Sequence, residues 1–190
     1  MSNINHTLYV IVGASGGGKD TLVQEFIKAY PNYSQVLSYT TRRHRYDGEN
    51  THIFIEKDEV EQYEDEMVAY TNFCGNEYFA TSKQLKANDF YVIDPKGINF
   101  LNEKLKEYET SNMNIVTINI TASMPRRYMR MRKRGDSLIN TIKRLANDRV
   151  EFKNFKYNHK ITNNNFYTAF EELTHIVAIE SLYALQGGDK

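Results

Sequence analysis

This sequence contains one cysteine and three prolines among 190 residues, and no apolar run approaches the roughly 20 residues that cross a bilayer. The single cysteine, Cys74, cannot form an internal disulfide or a cysteine-rich metal site, which favours a reducing compartment. Residues 1–7 lack the basic and apolar regions of a signal peptide. We therefore expect a cytoplasmic protein with no membrane partner.

The sequence also lacks an excess of either charge, with 24 Lys and Arg residues against 24 Asp and Glu residues. A zero net charge argues against a protein whose main role is non-specific binding to nucleic acid or to an acidic membrane surface. Hydrophobic residues make up 41% and charged residues 25% of the chain, as in ordinary globular proteins. We expect one domain with a substantial core.

Apolar runs and helical stripes alternate along most of the chain. Leu8–Val12 is a short apolar run that ends at a glycine, which indicates a buried parallel strand. Residues 21–30 carry an apolar stripe at helical spacing and stop at a proline. Further strands are predicted at 90–93 and 115–120, and further helices after 95, at 124–134, at 137–152 and from 166. This alternation predicts an α/β protein whose parallel sheet is covered on both faces.

Residues 38–82 interrupt the alternation. They contain strand-like runs at 51–55, 67–73 and 78–81 around an acidic segment, 58–66, that we interpret as an exposed helix. The segment therefore predicts a lobe inserted between two strands of the main sheet.

A glycine-rich loop lies between the first predicted strand and the first predicted helix. Glycines let the backbone wrap closely around a phosphate, and the helix N-terminus adds partial positive charge. Lys19 supplies a full charge to the β- and γ-phosphates of a nucleoside triphosphate. The spacing matches the P-loop, G-x-x-x-x-G-K-[ST], except that Asp20 replaces Ser or Thr. A carboxylate also suits Mg²⁺, so Asp20 is the candidate metal ligand. The expected triphosphate-binding residues here are Gly13, Ala14, Ser15, Gly16, Gly17, Gly18, Lys19, Asp20 and Thr21.

Three further segments, in order along the chain, resemble those of guanylate kinases. The first, Ser38–Arg45 followed by Gly48-Glu49, resembles the S-x-T-T-R-x-x-R…G-E segment of that family. The second, Gly75–Thr81, is similar to its G-N-Y-Y-G-[ST] segment. The third is its arginine pattern, R-x-x-x-R-G…R-[LM], matched by Arg130, Arg134-Gly135 and Arg144-Leu145.

The resemblance implies a P-loop NMP-kinase fold with a parallel five-stranded sheet and helices on both faces. A core of residues 1–37 and 83–190 would bind ATP. An acceptor lobe at about 38–82 and a small lid at about 134–150 would complete the molecule. The implied partners are small nucleotides, and the implied assembly is a monomer or a homodimer.

The resemblance also implies roles for individual residues. The groups around the transferred phosphoryl would be Lys19, Arg42, Arg134 and Arg144. The acceptor would be bound by Ser38, Arg42, Arg45, Tyr78, Thr81 and Asp94. Arg130 and Asn163 would lie beside ATP. Arg126, Arg127 and Lys133, in the same basic run, are interpreted as surface residues, and nucleic-acid binding is not expected.

The implied reaction is transfer of the ATP γ-phosphate, with Mg²⁺, to a nucleoside monophosphate, with GMP or dGMP expected first. Ala69 and Val92 stand where the family pattern has acidic residues for guanine. A kinase of a base-free acceptor such as ribose 1,5-bisphosphate is therefore an alternative. A catalytically inactive scaffold that binds proteins is an alternative of another class.

Overall fold

The computed structural model describes residues 6–44, 47–73, 75–107 and 113–186. Two residues singled out from the sequence, Arg45 and Cys74, lie outside these ranges. The strands are β1 His6–Val12, β2 Tyr39–Thr40, β3 Ile53–Phe54, β4 Met67–Phe73, β5 Asn76–Thr81, β6 Phe90–Val92, β7 Met113–Thr121 and β8 His159–Thr162. The α-helices are α1 Lys19–Ala29, α2 Ser82–Lys86, α3 Pro95–Glu107, α4 Met124–Lys133, α5 Leu138–Glu151 and α6 Phe166–Leu185.

The main sheet is parallel, with strand order β6-β1-β7-β8. Tyr9 in the central strand pairs with Phe90 on one side and Val116 on the other. Within β1, Tyr9 and Ile11 pack into one apolar cluster with α1 and α6. Leu8, Val10 and Val12 pack into a second cluster with α3 on the opposite face. The prediction of a sheet covered on both faces is confirmed.

The sheet has four strands among the described residues, so the expected count of five is wrong. A fifth position exists only as an isolated parallel bridge from Gln35 to Phe90 beside β6. The flanking bonds run from Val36 N to Phe90 O, 2.8 Å, and from Phe90 N to Ser34 O, 2.9 Å. Pairing ends there because the chain leaves this edge to enter the second sheet at Tyr39.

The inserted segment builds a second sheet with strand order β3-β2-β5-β4. Phe79 is fully buried in its small core together with Val60 and Met67. The acidic helix expected at 58–66 is replaced by two short 3₁₀ helices, Lys57–Glu59 and Glu61–Glu66. Neither has a buried residue, because the acidic sequence offers no apolar stripe that could pack.

Helices α4 and α5 follow the sheet strand β7 and are joined by a turn at residues 134–137. Ser137 begins α5 by accepting a hydrogen bond from Asn140 N, 3.2 Å. Strand β8, which the sequence pattern did not predict, then completes the sheet beside β7. Within the described ranges, no helix has the length and hydrophobicity needed to span a bilayer.

Candidate active site

The loop from Gly13 to Gly18 connects β1 to α1, and contacts with its neighbours require its glycines. Gly16 and Gly18 have φ values of 74° and 89°, in the left-handed region. A Cβ on Gly13 would lie 1.8 Å from the carbonyl oxygen of Ile120, and one on Gly16 2.6 Å from that of Arg127. No residue with a side chain fits these two positions without moving β7 or α4.

Lys19 is the first residue of α1 and folds back over the loop. Its Nζ donates a hydrogen bond to the carbonyl oxygen of Gly13, 2.6 Å. Burial lowers the pKa of Lys19, while the nearby carboxylates of Asp20 and Asp148 act in the opposite direction. A desolvated cation at the mouth of a glycine loop is suited to an anion such as phosphate.

Arg130 and Asn163 support the loop from behind. Arg130 Nη1 donates to the carbonyl oxygens of Gly17, 3.0 Å, and Gly16, 3.3 Å, and Nη2 donates to Asn163 O, 2.9 Å. Asn163 Nδ2 donates to Gly17 O, 3.0 Å. Its buried Oδ1 has no hydrogen-bond partner within the described part of the chain. Both predicted ATP residues therefore contact the loop. Of the others, Ala14 is buried and Thr21 is exposed.

Arg127 is not the surface residue expected from the sequence. Its Nε donates to Ser15 O, 2.9 Å, and its Nη2 forms an ion pair with Asp148 of α5. Asp148 Oδ2 in turn accepts a hydrogen bond from Ser15 N, 2.9 Å. This cluster could not be predicted from the sequence, because its three residues come from distant segments with no motif spacing.

A cavity of about 550 Å³ opens between the loop, the second sheet and α5. The loop contributes Gly13, Ser15 and Lys19 to its wall. Three predicted acceptor residues, Ser38, Tyr78 and Asp94, lie on the same wall. Residues that the sequence analysis missed also line it, namely Tyr70, Thr71, Asn72, Tyr91, Lys96, Lys143, Asn147, Asp148, Glu151 and Phe152.

Two predicted acceptor residues have other contacts. Thr81 is buried and begins α2 by accepting a hydrogen bond from Gln84 N, 3.4 Å. Arg42 donates to both oxygens of the buried Glu49, at 3.2 and 2.7 Å, and lies 5.3 Å from the ring centre of Phe54. Burial lowers the pKa of Arg42, but the bonds and charge of Glu49 outweigh it and raise the pKa overall. Neither Thr81 nor Arg42 is among the described residues on the cavity wall.

Asp94 and Ser38 are both hydrogen-bonded within the cavity wall. Asp94 Oδ2 accepts from the Thr71 hydroxyl, 2.9 Å, and Oδ1 accepts from Gly97 N in the first turn of α3, 2.7 Å. Burial raises the pKa of Tyr91, and a hydrogen bond with Ser38 acts against this rise. One carboxylate of the cavity wall is therefore held by two hydrogen bonds, one to each of its oxygens.

The two positions that depart from the family pattern differ in their surroundings. Val92 lies on the cavity wall, where it offers no polar atom. Ala69 is fully buried, pairs with Ala80 across β4 and β5, and packs in the core cluster under α3. The residues that β4 contributes to the cavity wall are Tyr70, Thr71 and Asn72.

Arg134 and Arg144 share the carboxylate of Asp136. Arg134 Nη2 lies 2.7 Å and Arg144 Nε 4.0 Å from Asp136 Oδ2. Arg144 lines the cavity, and the charge of Arg134 contributes to the lowered pKa of Lys19. Of these two predicted catalytic cations, Arg144 is thus on the cavity wall, whereas Arg134 is not among the described residues that line it.

The candidate metal ligand Asp20 is exposed in the first turn of α1. In the ranges that the structure describes, no three His, Cys, Asp or Glu side chains are grouped so that they could hold a metal ion. An ion at Asp20 would therefore need oxygen ligands from a bound phosphate and from water.

Comparisons with known proteins agree on one family. The family model described as "Guanylate kinase" matches residues 5–180. The chain is 29% identical to the guanylate kinase of Escherichia coli (strain K12), an alignment that covers 93% of this chain and 89% of that protein. It is also 29% identical to the guanylate kinase of Agrobacterium fabrum, with 91% and 82% covered.

A solved structure has the same fold. The crystal structure of guanylate kinase from Anaplasma phagocytophilum matches with a TM-score of 0.64 and 20% sequence identity. The match covers 92% of this chain and 86% of that one.

Proposed function

This chain belongs to the guanylate kinase family, and we propose that it transfers the γ-phosphate of ATP to a nucleoside monophosphate. GMP or dGMP is the first expected acceptor, with ADP and GDP or dGDP as products. The observation that carries the proposal is that Lys19 of the loop, Tyr78 and Asp94 all line one cavity. Two phosphorylated molecules can meet in this space.

The donor would bind at the glycine loop. Backbone amides of the loop and the N-terminus of α1 favour the negative charge of a triphosphate. Lys19 would exchange its bond to Gly13 O for the β- and γ-phosphates. Arg130 and Asn163 would act through the loop backbone that they contact.

Mg²⁺ would accompany ATP at Asp20. A carboxylate is a hard oxygen ligand that suits this ion, and Mg²⁺ commonly binds through one or two carboxylates plus substrate phosphates. The exposed position of Asp20, next to Lys19, leaves room for such a shared site. When bound, the ion neutralises charge on the phosphates.

Phosphoryl transfer depends on in-line positioning and on cations around the moving charge. Arg144 and Arg134 would supply these cations, since arginine makes paired hydrogen bonds to phosphate and stays protonated. The segment at about 134–150 would act as the lid that keeps water from ATP. Loss of the contacts with Asp136 would let both guanidinium groups turn towards the substrates.

The acceptor would lie against the second sheet, in the lobe at about 38–82. Arg42, Arg45 and Tyr78 would bind its phosphate, while Ser38 and Asp94 would face its base. Thr81 has no role in this proposal because its side chain caps α2. The carboxylate of Asp94 fits the N–H groups of guanine, but Ala69 and Val92 stand where the family pattern supplies two further acids.

An ADP-release assay tests the proposal with GMP, dGMP, the other monophosphates and ribose 1,5-bisphosphate at fixed Mg²⁺ and ATP. We expect GMP or dGMP to give the highest kcat/KM. A higher value for ribose 1,5-bisphosphate would favour the base-free alternative. ATP binding without stimulation by any acceptor would instead favour the protein-binding scaffold.

A further inference from the structure

Both main-chain polar groups of Ser15, the third residue of the phosphate loop, are bound by one ion pair between α4 and α5. Arg127 Nε donates to Ser15 O, 2.9 Å, and Asp148 Oδ2 accepts from Ser15 N, 2.9 Å. Asp148 Oδ1 also accepts from the Ser15 hydroxyl, 3.3 Å. Arg127 and Asp148 are themselves joined through Arg127 Nη2. One residue of the loop is thus held from outside by three hydrogen bonds.

The ion pair is buried, with side-chain exposures of 12% for Arg127 and 9% for Asp148. Taking two charges out of water is unfavourable, and an apolar pair of similar volume is often as stable or more stable. A contribution to stability alone therefore does not explain why charges lie here. A carboxylate beside a guanidinium does supply acceptors for the amide and the hydroxyl of Ser15 and a donor for its carbonyl.

The pair also ties the loop to the cavity wall. Gly16 follows Ser15 and lies so close to α4 that a Cβ would be 2.6 Å from Arg127 O, which leaves little slack between them. On α5, Asp148 lies one turn after Arg144, and both line the cavity. The pair therefore fixes the position of the loop relative to α5, the helix that bears Arg144.

We propose that the Arg127–Asp148 ion pair is a positioning device that holds the Ser15 segment in its anion-binding conformation before a nucleotide arrives. The proposal rests on the proposed function only in that the loop binds a nucleoside triphosphate. A loop that is ordered in advance avoids the entropy cost of ordering on binding. Arg127 and Asp148 act through Ser15 and are positioning residues, not catalytic ones.

The test compares wild type with Arg127→Leu, Asp148→Leu and the double variant Arg127→Leu/Asp148→Leu. Thermal unfolding gives Tm, and calorimetric titration with ATP and Mg²⁺ in the absence of acceptor gives Kd. Each single variant leaves a buried charge unpaired and is expected to lower Tm. The double variant removes both charges, so its Tm should return towards wild type while its Kd for ATP stays about tenfold weaker or more.

Arg126→Leu is the matched control, because Arg126 is the exposed neighbour of Arg127 on α4. We expect it to keep the wild-type Tm and Kd. Hydrogen exchange in the ligand-free chain gives an independent readout. The Ser15 amide should exchange faster in the double variant than in wild type, since its acceptor is gone.

The outcomes separate the possible roles. A double variant with restored Tm and wild-type Kd makes the pair purely structural and overturns the proposal. Tighter ATP binding would mean that Asp148 competes with the phosphate, which also overturns it. If the Ser15 amide exchanges at the same rate in the double variant as in wild type, the proposal is overturned, whether or not the chain binds ATP. A wild-type chain that binds ATP but phosphorylates no acceptor defeats the proposed function and leaves this role intact.

Discussion

Arg42 and Glu49 form a paired, nearly buried ion pair, with side-chain exposures of 11% and 1%. Arg42 is proposed to bind the acceptor phosphate together with Arg45 and Tyr78. Its orientation is set by both carboxylate oxygens and by the ring of Phe54. The geometry of acceptor binding should therefore depend on Glu49, which need not touch the substrate.

We expect Glu49→Gln to raise KM for the acceptor by about tenfold and to leave KM for ATP nearly unchanged. A neutral amide has one acceptor oxygen instead of two and no negative charge, so the paired bond to the guanidinium is lost and Arg42 loses its fixed orientation. Steady-state kinetics with each substrate varied in turn measures both constants. Glu61→Gln, at an exposed position, is the control. Equal increases in the two KM values would contradict a role specific to the acceptor.

Lys19→Ala should lower turnover by roughly 10²–10³-fold, because it removes the positive charge that would stabilise the transferred phosphoryl group. The free energy of unfolding should change by less than about 1 kcal/mol, since burial already disfavours this charge and one hydrogen bond to Gly13 O is lost. Turnover assays and urea unfolding measure the two effects. Turnover close to that of wild type would remove the loop lysine from the mechanism.

The pH dependence of ATP binding should reflect the lowered pKa of Lys19. A bound triphosphate favours the protonated amine, so binding raises this pKa again. Affinity is then full below the pKa of the ligand-free protein and decreases as the pH rises above it. Calorimetric titration of wild type and of Lys19→Arg, whose side chain stays protonated, checks this. A decrease of the same size in both proteins would assign the effect to another group.

Asp20→Asn should raise the Mg²⁺ concentration needed for half-maximal turnover by about tenfold, because a neutral amide is a weaker ligand for a hard cation. The measurement is a Mg²⁺ titration at saturating ATP. Asp58→Asn serves as the control, because it changes an exposed carboxylate in the 3₁₀ helix Lys57–Glu59 between β3 and β4. If the titration curve does not move, Asp20 is not the metal ligand.

Restoring an acid at position 69 should not restore guanine recognition. Ala69 is fully buried in the core, so Ala69→Glu places an unpaired carboxylate there and should destabilise the fold by about 3–5 kcal/mol. Urea unfolding measures the loss, and Ala178→Glu at an exposed position of α6 is the control. A stable variant with an increased preference for GMP would show that residue 69 can reach the cavity.

The β1–loop–α1 unit could be predicted from the sequence because its signals are local. An apolar run, a set of glycines and an amphipathic stripe lie next to each other along the chain, and each indicates its own conformation. The covered sheet follows from the same signals, since Leu8 and Tyr9 are both apolar although they face opposite sides.

The ion pair of Arg127 and the hydrogen bonds of Asp94 could not be predicted, because their partners are distant in sequence. Arg127 stands in a basic run that is exposed at most other positions, and only the packing of α5 against α4 buries it. The single bridge at Gln35 likewise depends on where the second sheet begins. Strand β8 is four residues long and was too short for its pattern to indicate a strand.

The contact between Gly13 and the Ile120 carbonyl has a consequence for comparing members of such a family. The first glycine of the loop is required by the sheet beside it, whether or not a nucleotide ever binds. A descendant that lost its activity would still need that glycine in order to fold. Retention of Gly13 therefore reports on architecture, whereas retention of Lys19, whose charge the fold does not need, reports on chemistry.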